Sequence, residues 1–191
     1  MTEHQPTSPL SVCLFCGSSE GNDPLHQKTA EQLGRLWAAN GVRLVYGGGG
    51  IGLMGIAARA AMAAGGEVIG VLPQSLEKLD VGLTEITDLV IVDGMHARKK
   101  MMYDLSDAFV VLPGGVGTLD EAIEMITWAQ LQHHAKPIII VNGKGYWQKF
   151  IELLSHVIDE GFAPPHTAGL YTVIADVNDV LPAIRSLLQK S

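Results

Sequence analysis

The segment at residues 113–121, with the sequence PGGVGTLDE, combines three glycines with a threonine and two carboxylates. Glycines at neighbouring turn positions let backbone N–H groups point into one concavity, which suits an anion such as a phosphate. A carboxylate at Glu121 would be unfavourable beside a bound anion unless it took part in a reaction or faced a sugar attached to the phosphate. The same residues also fit a helix-capping box, with Thr118 as N-cap and Glu121 reaching back from the third helical position. Both interpretations stay open.

A second glycine-rich segment, residues 50–55 (GIGLMG), matches the pattern G-x-G-x-x-G between a predicted strand and a predicted helix. Such a turn brings backbone N–H groups and the positive end of a helix dipole close to a phosphate. A nicotinamide dinucleotide site also needs an acidic residue at the end of the following strand, and residues 71–74 (VLPQ) contain none. The alternative is a tight turn in which glycine supplies a positive φ and close helix–sheet contact. The segment therefore predicts phosphate contact or a tight turn, and disfavours a dinucleotide.

Arg98, Lys99 and Lys100 form the only run of three basic residues among the thirteen lysines and arginines. A protein with a formal net charge of −7 must concentrate positive charge locally to bind a phosphorylated ligand. Arginine can hold a phosphate through two parallel hydrogen bonds. Consecutive residues on a helix diverge by about 100°, so we expect one of the three to be a solvated charge. Arg98 and Lys99 are the candidates for the site.

The cysteines and the paired histidines are weak candidates for metal or redox chemistry. Cys13 and Cys16 lie three positions apart in a predicted strand, so their sulfurs point to opposite faces and we expect core residues. His133 and His134 end a predicted helix without a third ligand at metal spacing, which predicts surface histidines. We therefore expect no metal site.

Short apolar runs that alternate with helical patterns predict the elements that position these residues. The runs are rich in β-branched residues, which indicates a parallel sheet covered by helices on both faces, a doubly wound α/β fold. In such sheets ligands bind at the carboxyl ends of the strands, near the point where the strand order reverses. The predicted strands span residues 11–16, 43–46, 67–72, 88–92, 108–112, 138–141 and 171–175. The predicted helices run from Asp23-Pro24 to Asn40-Gly41, over 53–64, 95–105, 118–132 and 146–160, and at the C-terminus to 189, with a loop or short helix over 74–85.

Composition limits the class of protein. The chain has 191 residues, of which 47% are hydrophobic and 17% charged, so it is not expected to be disordered. Its net charge argues against a general nucleic-acid binder, and no apolar run reaches the roughly 18 residues of a membrane-spanning helix. We expect residues 1–10 to be a flexible terminus without a secretory signal, and residues 11–191 to be a single domain. The two cysteines do not suggest an oxidising compartment, so we expect a cytoplasmic protein.

Three motifs in order along the chain resemble the Lonely-guy family of cytokinin-activating phosphoribohydrolases, whose members are often misnamed lysine decarboxylases. The motifs are GGGGIGLMG at residues 47–55, GMHARK at 94–99 and PGGVGTLDE at 113–121, accompanied by CLFCGSS near the start and EMITWAQL after the last motif. The likeness runs from about Val12 to about Gly161. It implies a Rossmann-like homodimer, without a cofactor, that hydrolyses the N-glycosidic bond of nucleoside 5′-monophosphates.

The resemblance also implies the residues of the site. Arg98 and Glu121 would be the catalytic pair, with the carboxylate acting on the sugar and its attacking water and the arginine on the departing base. Whether Glu121 serves as nucleophile, base or electrostatic stabiliser stays open. The chain departs from the family at Asp80, where a substrate-binding glutamate is frequent, at Val116, where an aromatic residue is common, and at Asp120, where many members have glutamate. The implied substrate contacts are Ser18, Gly48, Gly49, Met95, Lys99, Gly114, Gly115, Gly117, Thr118 and Thr127.

The main alternative is a non-catalytic nucleotide-binding or carrier protein with the same glycine loops. An NAD-dependent oxidoreductase is a further alternative. A pyridoxal-dependent decarboxylase is set aside, because that chemistry needs a Schiff-base lysine on a large two-domain scaffold. The residues leave open whether the preferred base is adenine or an adenine that carries an isoprenoid group.

Overall fold

The computed structural model describes residues 9–77 and 82–190, which form a sheet with helices on both sides. The strands are β1 (Ser11–Phe15), β2 (Arg43–Tyr46), β3 (Val68–Pro73), β4 (Asp88–Val92), β5 (Ala108–Val111), β6 (Ile138–Val141) and β7 (Thr172–Ile174). The helices are α1 (Pro24–Ala39), α2 (Gly52–Ala63), α3 (Gln74–Glu77), α4 (Met95–Asp104), α5 (Val116–Gln130), α6 (Gln148–Asp159) and α7 (Val180–Leu188). Short 3-10 turns occur at Gly143–Gly145, Pro165–Gly169 and Val177–Asp179.

All strand pairs of this sheet are parallel, in the order β4-β3-β2-β1-β5-β6-β7. From β1 the chain moves outward to β4, and α4 then leads back to β5 on the other side of β1. The doubly wound α/β fold predicted from the alternation of elements is confirmed. The carboxyl ends of β1 and β5 lie side by side where the strand order reverses, the place at which such sheets bind ligands.

Alternating side chains on the strands build one core on each face of the sheet. Val12 and Leu14 of β1 belong to one core, and Cys13 and Phe15 belong to the other, because successive side chains of a strand point to opposite faces. Helices α1, α2 and α7 cover the first face, and α4, α5 and α6 cover the second. With both faces covered, the ends of the strands are the surface that the sheet offers to a ligand.

Several predicted boundaries agree with the structure. Strands 43–46, 88–92 and 138–141 are confirmed without change. Asp23 is confirmed as the N-cap of α1, because its carboxylate accepts a hydrogen bond from the Leu25 N–H at 2.9 Å. Local capping chemistry was therefore sufficient to place the start of this helix.

The start of α5 differs from the prediction. A helix over 118–132 with Thr118 as N-cap is wrong, because α5 begins at Val116 and its N-cap is Gly115. Gly115 has extended backbone (φ −94°, ψ −154°), and the helix follows it directly. Thr118 is therefore the third helical residue and Glu121 the sixth, so the predicted capping box does not form.

Two other segments start or end differently from their predictions. The predicted helix over 146–160 begins at Gln148, after the 3-10 turn Gly143–Gly145. The segment 74–85 contains the short helix Gln74–Glu77 and then passes through four residues that are not described. The expectation of a flexible terminus over 1–10 falls mainly outside the described residues. In the described part of the chain, no helix is both long and apolar enough to cross a membrane.

Candidate functional site

A crevice opens above the carboxyl ends of β1 and β5. The Gly17 N–H donates a hydrogen bond to the Pro113 carbonyl at 3.0 Å, which joins the two strand ends at its floor. The cavity has a volume of about 440 Å³. It lies between the loop after β1 on one side and the start of α5 on the other. Residues lining it include Ser18, Ser19, His26, Gly114, Gly115 and Tyr146.

The N-terminus of α5 presents backbone amides at this crevice. Among the described residues, no side chain caps this end of the helix, so its first-turn N–H groups are left to a ligand or to water. A Cβ atom at Gly115 or Gly117 would meet nothing within 4 Å, so packing does not require glycine at either position. Thr118 is buried beneath Gly114, and its hydroxyl occupies the space that a Cβ there would need. We call the N–H groups of residues 115–118 the α5 cradle, since they can hold an anion at the positive end of the helix dipole.

Glu121 and Arg98 meet between α5 and α4. Oε1 of Glu121 lies 3.9 Å from Nη1 of Arg98, and their side chains are only 12% and 9% exposed. Burial raises the pKa of the Glu121 carboxyl from 4.5 to about 7, against the lowering effect of the Arg98 guanidinium and with a smaller raising effect of Asp120. At neutral pH this carboxyl is therefore balanced between its acid and base forms.

Two backbone carbonyls at neighbouring strand ends fix the Arg98 guanidinium. Its Nε donates to the Val71 carbonyl of β3 at 3.1 Å, and its Nη2 donates to the Gly47 carbonyl after β2 at 3.0 Å. A Cβ at Gly47 would occupy the space of this guanidinium. The glycine that follows β2 thus makes room for the buried arginine, which is held as a fixed cation opposite Glu121.

Lys99 connects α4 to α5. Its Nζ lies 3.1 Å from Oδ2 of Asp120 and 3.1 Å from Oε1 of Glu124. The pKa of Lys99 is raised. Partial burial alone would lower it, but the hydrogen bonds to Glu124 and Asp120 have the larger combined effect. The second carboxylate oxygen of Glu124 is buried and has no hydrogen-bond partner within the described residues. Lys100 pairs with Asp104 on the exposed face at 2.6 Å, which confirms that one of the three basic residues is a solvated charge.

The glycines between β2 and α2 have packing reasons of their own. Gly52 adopts a φ of +62°, and a Cβ there would collide with the backbone of Ser18. A Cβ at Gly55 would collide with the carbonyl of Gly50. The tight-turn interpretation of the G-x-G-x-x-G pattern is confirmed for these two glycines. Phosphate contact at this segment stays a prediction.

The structure brings some of the implied contact residues to the crevice. Ser18, Gly114 and Gly115 line it directly. Gly48 and Gly49 are buried just after β2, where the Gly48 carbonyl accepts a hydrogen bond from the Leu83 N–H at 3.0 Å. The backbone of this glycine pair is therefore partly occupied by the chain that leads into β4.

Other implied contact residues lie apart from the crevice. Thr127 is exposed on α5, about 9 Å along the axis from Glu121 and about 120° around it. Met95 is the first residue of α4 and is 45% exposed. Asp80 lies outside the described residues. A substrate contact of Thr127 and one of Glu121 thus require different sides of α5.

Tyr146 and His26 line the crevice but were not predicted from the sequence as site residues. The hydroxyl of Tyr146 donates to the Gly114 carbonyl at 2.7 Å, and its ring packs edge-on against His26, with the ring centroids 5.3 Å apart. Tyr146 comes shortly after the carboxyl end of β6, which was the one signal that could have pointed to it. Its contact with Gly114 joins residues 32 positions apart, and no local pattern predicts such a pairing.

No cluster of His, Cys, Asp and Glu side chains in the described residues is arranged to hold a metal ion. Cys13 and Cys16 are free and buried in cores on opposite faces, which confirms their predicted arrangement. Burial, with a further contribution from the Glu121 carboxylate, raises the pKa of both thiols, which disfavours their reactive thiolate form. His133 is exposed as predicted, whereas His134 is only partly exposed. The half-buried ring of His134 packs against aromatic side chains.

Comparison with known proteins adds to this geometry. A family model described as a possible lysine decarboxylase matches residues 54–184. A cytokinin riboside 5′-monophosphate phosphoribohydrolase from Rhodococcoides fascians is 41% identical over 95% of this chain and 92% of that protein. One from Arabidopsis thaliana is 43% identical over 81% of this chain and 71% of that protein. A solved molybdenum cofactor carrier protein from Chlamydomonas reinhardtii has a TM-score of 0.72 at 23% identity, covering 95% of this chain and 99% of that one, which supports the fold alone.

Proposed function

The chain belongs to the Lonely-guy family of cytokinin riboside 5′-monophosphate phosphoribohydrolases, and on this basis we propose that it hydrolyses the N-glycosidic bond of adenosine 5′-monophosphates. The substrates include AMP and adenylates with an isoprenoid group on the exocyclic amine. The products are the free base and ribose 5-phosphate. The observation that carries the proposal is the buried Arg98–Glu121 pair close to the open α5 cradle.

The α5 cradle supports binding of the 5′-phosphate. Its amides and the helix dipole attract an anion, and Gly115 and Gly117 leave space for close approach to the backbone. Glu121 follows Val116 by five residues, which is about 7–8 Å along the helix axis. We infer that a nucleotide whose phosphate lies in the cradle extends its sugar toward this carboxylate. Binding energy from the phosphate is then used to position the sugar for cleavage.

Cleavage breaks the bond between C1′ of the ribose and N9 of the adenine. The electron pair leaves with the base, and ionised Glu121 stabilises the positive charge that develops on the sugar. Water adds its oxygen to C1′ and gives up a proton, which Glu121 is placed to accept. A nitrogen of the base gains a proton as the products form. Arg98, held by two carbonyls, offsets the negative charge on the departing base.

We extend the proposal to a homodimer that pairs through α5. Val116, Ile123 and Leu131 are 83%, 40% and 58% exposed and lie within about 80° of one another around the helix axis. Exposed apolar side chains that share one face of a helix favour an interaction surface. Thr127 lies on the same stripe, so in such a dimer it faces the partner subunit. Ile123→Asp should convert the dimer to a monomer in size-exclusion chromatography with light scattering, and a monomeric wild-type chain would contradict the dimer.

A base-release assay tests the proposed activity. The wild-type chain is incubated with AMP, isopentenyl-AMP, GMP and adenosine, and the released base is separated by chromatography. We expect release from the two adenylates and far less from adenosine, which lacks the phosphate. Saturable nucleotide binding without release of any base would instead support a carrier protein.

The proposal also includes a cytoplasmic location, where thiols such as Cys13 and Cys16 stay reduced.

A further inference from the structure

Tyr146 bridges the two sides of the crevice. It follows the turn Gly143–Gly145, and its hydroxyl donates a hydrogen bond to the Gly114 carbonyl at 2.7 Å. Its ring packs edge-on against His26 of α1 and against Trp147, with centroid distances of 5.3 and 4.9 Å. The side chain is 44% exposed and lines the cavity, so its hydroxyl is not simply a buried polar group in need of a partner. This tyrosine therefore connects α1 to the loop that forms the α5 cradle.

The hydrogen bond fixes the orientation of one peptide group in that loop. The Gly114 carbonyl and the Gly115 N–H belong to one planar trans peptide and point in opposite directions. Because glycine flanks the peptide on both sides, no Cβ atom restricts its rotation. A flipped peptide would present a carbonyl oxygen in place of the Gly115 N–H, and that oxygen would repel an anion in the cradle.

We propose that Tyr146 is a positioning residue for the 5′-phosphate of the substrate: its hydroxyl holds the peptide between Gly114 and Gly115 with the N–H available to the phosphate. The inference rests on the proposed function, since it takes the cradle as the phosphate site. In this role Tyr146 acts through the Gly114 carbonyl. Loss of its hydroxyl should therefore weaken binding of a phosphorylated ligand and leave the cleavage step nearly unchanged.

Tyr146→Phe tests the inference, because it removes the hydroxyl and keeps the ring against His26. We expect the KM for AMP to rise about five- to tenfold, as for loss of one hydrogen bond, and kcat to change less than about twofold. The slow turnover of adenosine should stay the same. Tyr103→Phe is the matched control, since its hydroxyl donates to the His133 carbonyl at 3.4 Å and does not line the crevice. This control should leave all three values unchanged.

Binding of ribose 5-phosphate, measured by calorimetry, provides a readout that does not depend on catalysis. Weaker binding to Tyr146→Phe than to the wild type supports the positioning role even if neither chain releases base. Equal affinity for the two chains overturns the positioning role, whether or not base release is observed. Equal losses on AMP and adenosine would also overturn it, because they indicate a general structural effect. No binding to the wild-type chain would overturn the phosphate cradle itself.

Discussion

Two glycine-rich segments lie at the same edge of the sheet, but glycine is present in them for different physical reasons. In the turn between β2 and α2, Gly52 has a positive φ and both Gly52 and Gly55 would collide with backbone atoms if they carried a Cβ. At the start of α5, a Cβ at Gly114 would collide with Thr118, but a Cβ at Gly115 or Gly117 would meet nothing within 4 Å. Packing explains the first pair of glycines but not the second, for which the proposed function offers close approach of a phosphate to the backbone.

The N-termini of helices α1 and α5, which lie at this edge, differ in how they are capped. Helix α1 begins at Asp23, whose carboxylate accepts a hydrogen bond from the Leu25 N–H and pairs with Lys144 at 3.0 Å. That helix end already holds an anion of its own. Helix α5 has Gly115 as its N-cap, and no side chain among the described residues caps it. Under the proposed function, this uncapped end of α5 receives the 5′-phosphate, and Glu121 lies on the same helix.

Glu121→Gln should have the largest effect, because it removes the one charge on α5 that the reaction is proposed to use. Glutamine keeps the shape of the side chain but cannot ionise, so kcat for base release from AMP should fall about 10³-fold, with KM within about threefold. Asp120→Asn is the matched control, since Asp120 is the adjacent carboxylate and is 59% exposed. Its kcat should stay within about threefold of wild type. A Glu121→Gln chain with more than a tenth of the wild-type kcat would contradict the assigned role.

Gly52→Ala should cause the next largest effect, on stability. Alanine at a φ of +62° is strained, and its Cβ would also displace the Ser18 backbone, so the free energy of unfolding should fall by about 3 kcal/mol or more. Gly65→Ala is the control, because Gly65 has a φ of +78° and an added Cβ there would meet nothing within 4 Å. It should lose only the cost of the positive φ, about 1–2 kcal/mol. Equal losses in urea denaturation would mean that contact with Ser18 is not the reason for the glycine.

The α/β fold was predictable because its signals are local. Short β-branched runs bounded by glycine and proline gave strands, and Asp23 followed by proline gave the start of α1. The order of the strands was not predictable in the same way, because hydrogen bonds between parallel strands join distant parts of the chain. The fold class predicted a site at the carboxyl ends of the strands, the basic run indicated Arg98, and the resemblance implied that Arg98 and Glu121 form a catalytic pair.

The interior of the site shows where sequence patterns were insufficient. The spacing of Thr118 and Glu121 matched a capping box, but Thr118 packs beneath Gly114 and the helix starts before it. A contact between residues four positions apart thus replaces a capping interaction that is worth about 1 kcal/mol. The contact of Tyr146 with the cradle loop and the burial that shifts the pKa of Glu121 depend instead on distant residues.

Ionisation of Glu121 should have a smaller effect. As pH rises, it should increase the rate of base release and decrease the free energy of unfolding. Burial raises its pKa to about 7, so kcat/KM should rise about tenfold from pH 6 to pH 8 as the carboxylate forms. Between pH 4.5 and 7 the folded chain keeps a proton that the unfolded chain releases, so the free energy of unfolding falls as pH rises through this window. The fall should be on the order of 2 kcal/mol and absent in Glu121→Gln. Urea unfolding of both chains at pH 5 and pH 8 measures it, and parallel pH profiles would argue against a buried ionisation at this residue.

Gly117→Ala should give the smallest change and tests the other half of the comparison between the two turns. Alanine is favoured over glycine within a helix by about 0.5–1 kcal/mol, and a Cβ at this position meets nothing within 4 Å, so the free energy of unfolding should stay the same or rise slightly. The methyl group would nevertheless stand on the surface that the α5 cradle offers to a phosphate. The KM for AMP should therefore rise about fivefold with little change in kcat. Gly117→Ala is thus expected to weaken binding but not stability, whereas Gly52→Ala is expected to reduce stability. If Gly117→Ala is stable and binds AMP as tightly as the wild type, the phosphate does not lie at this end of α5, and the open space at Gly117 is left without a ligand to explain it.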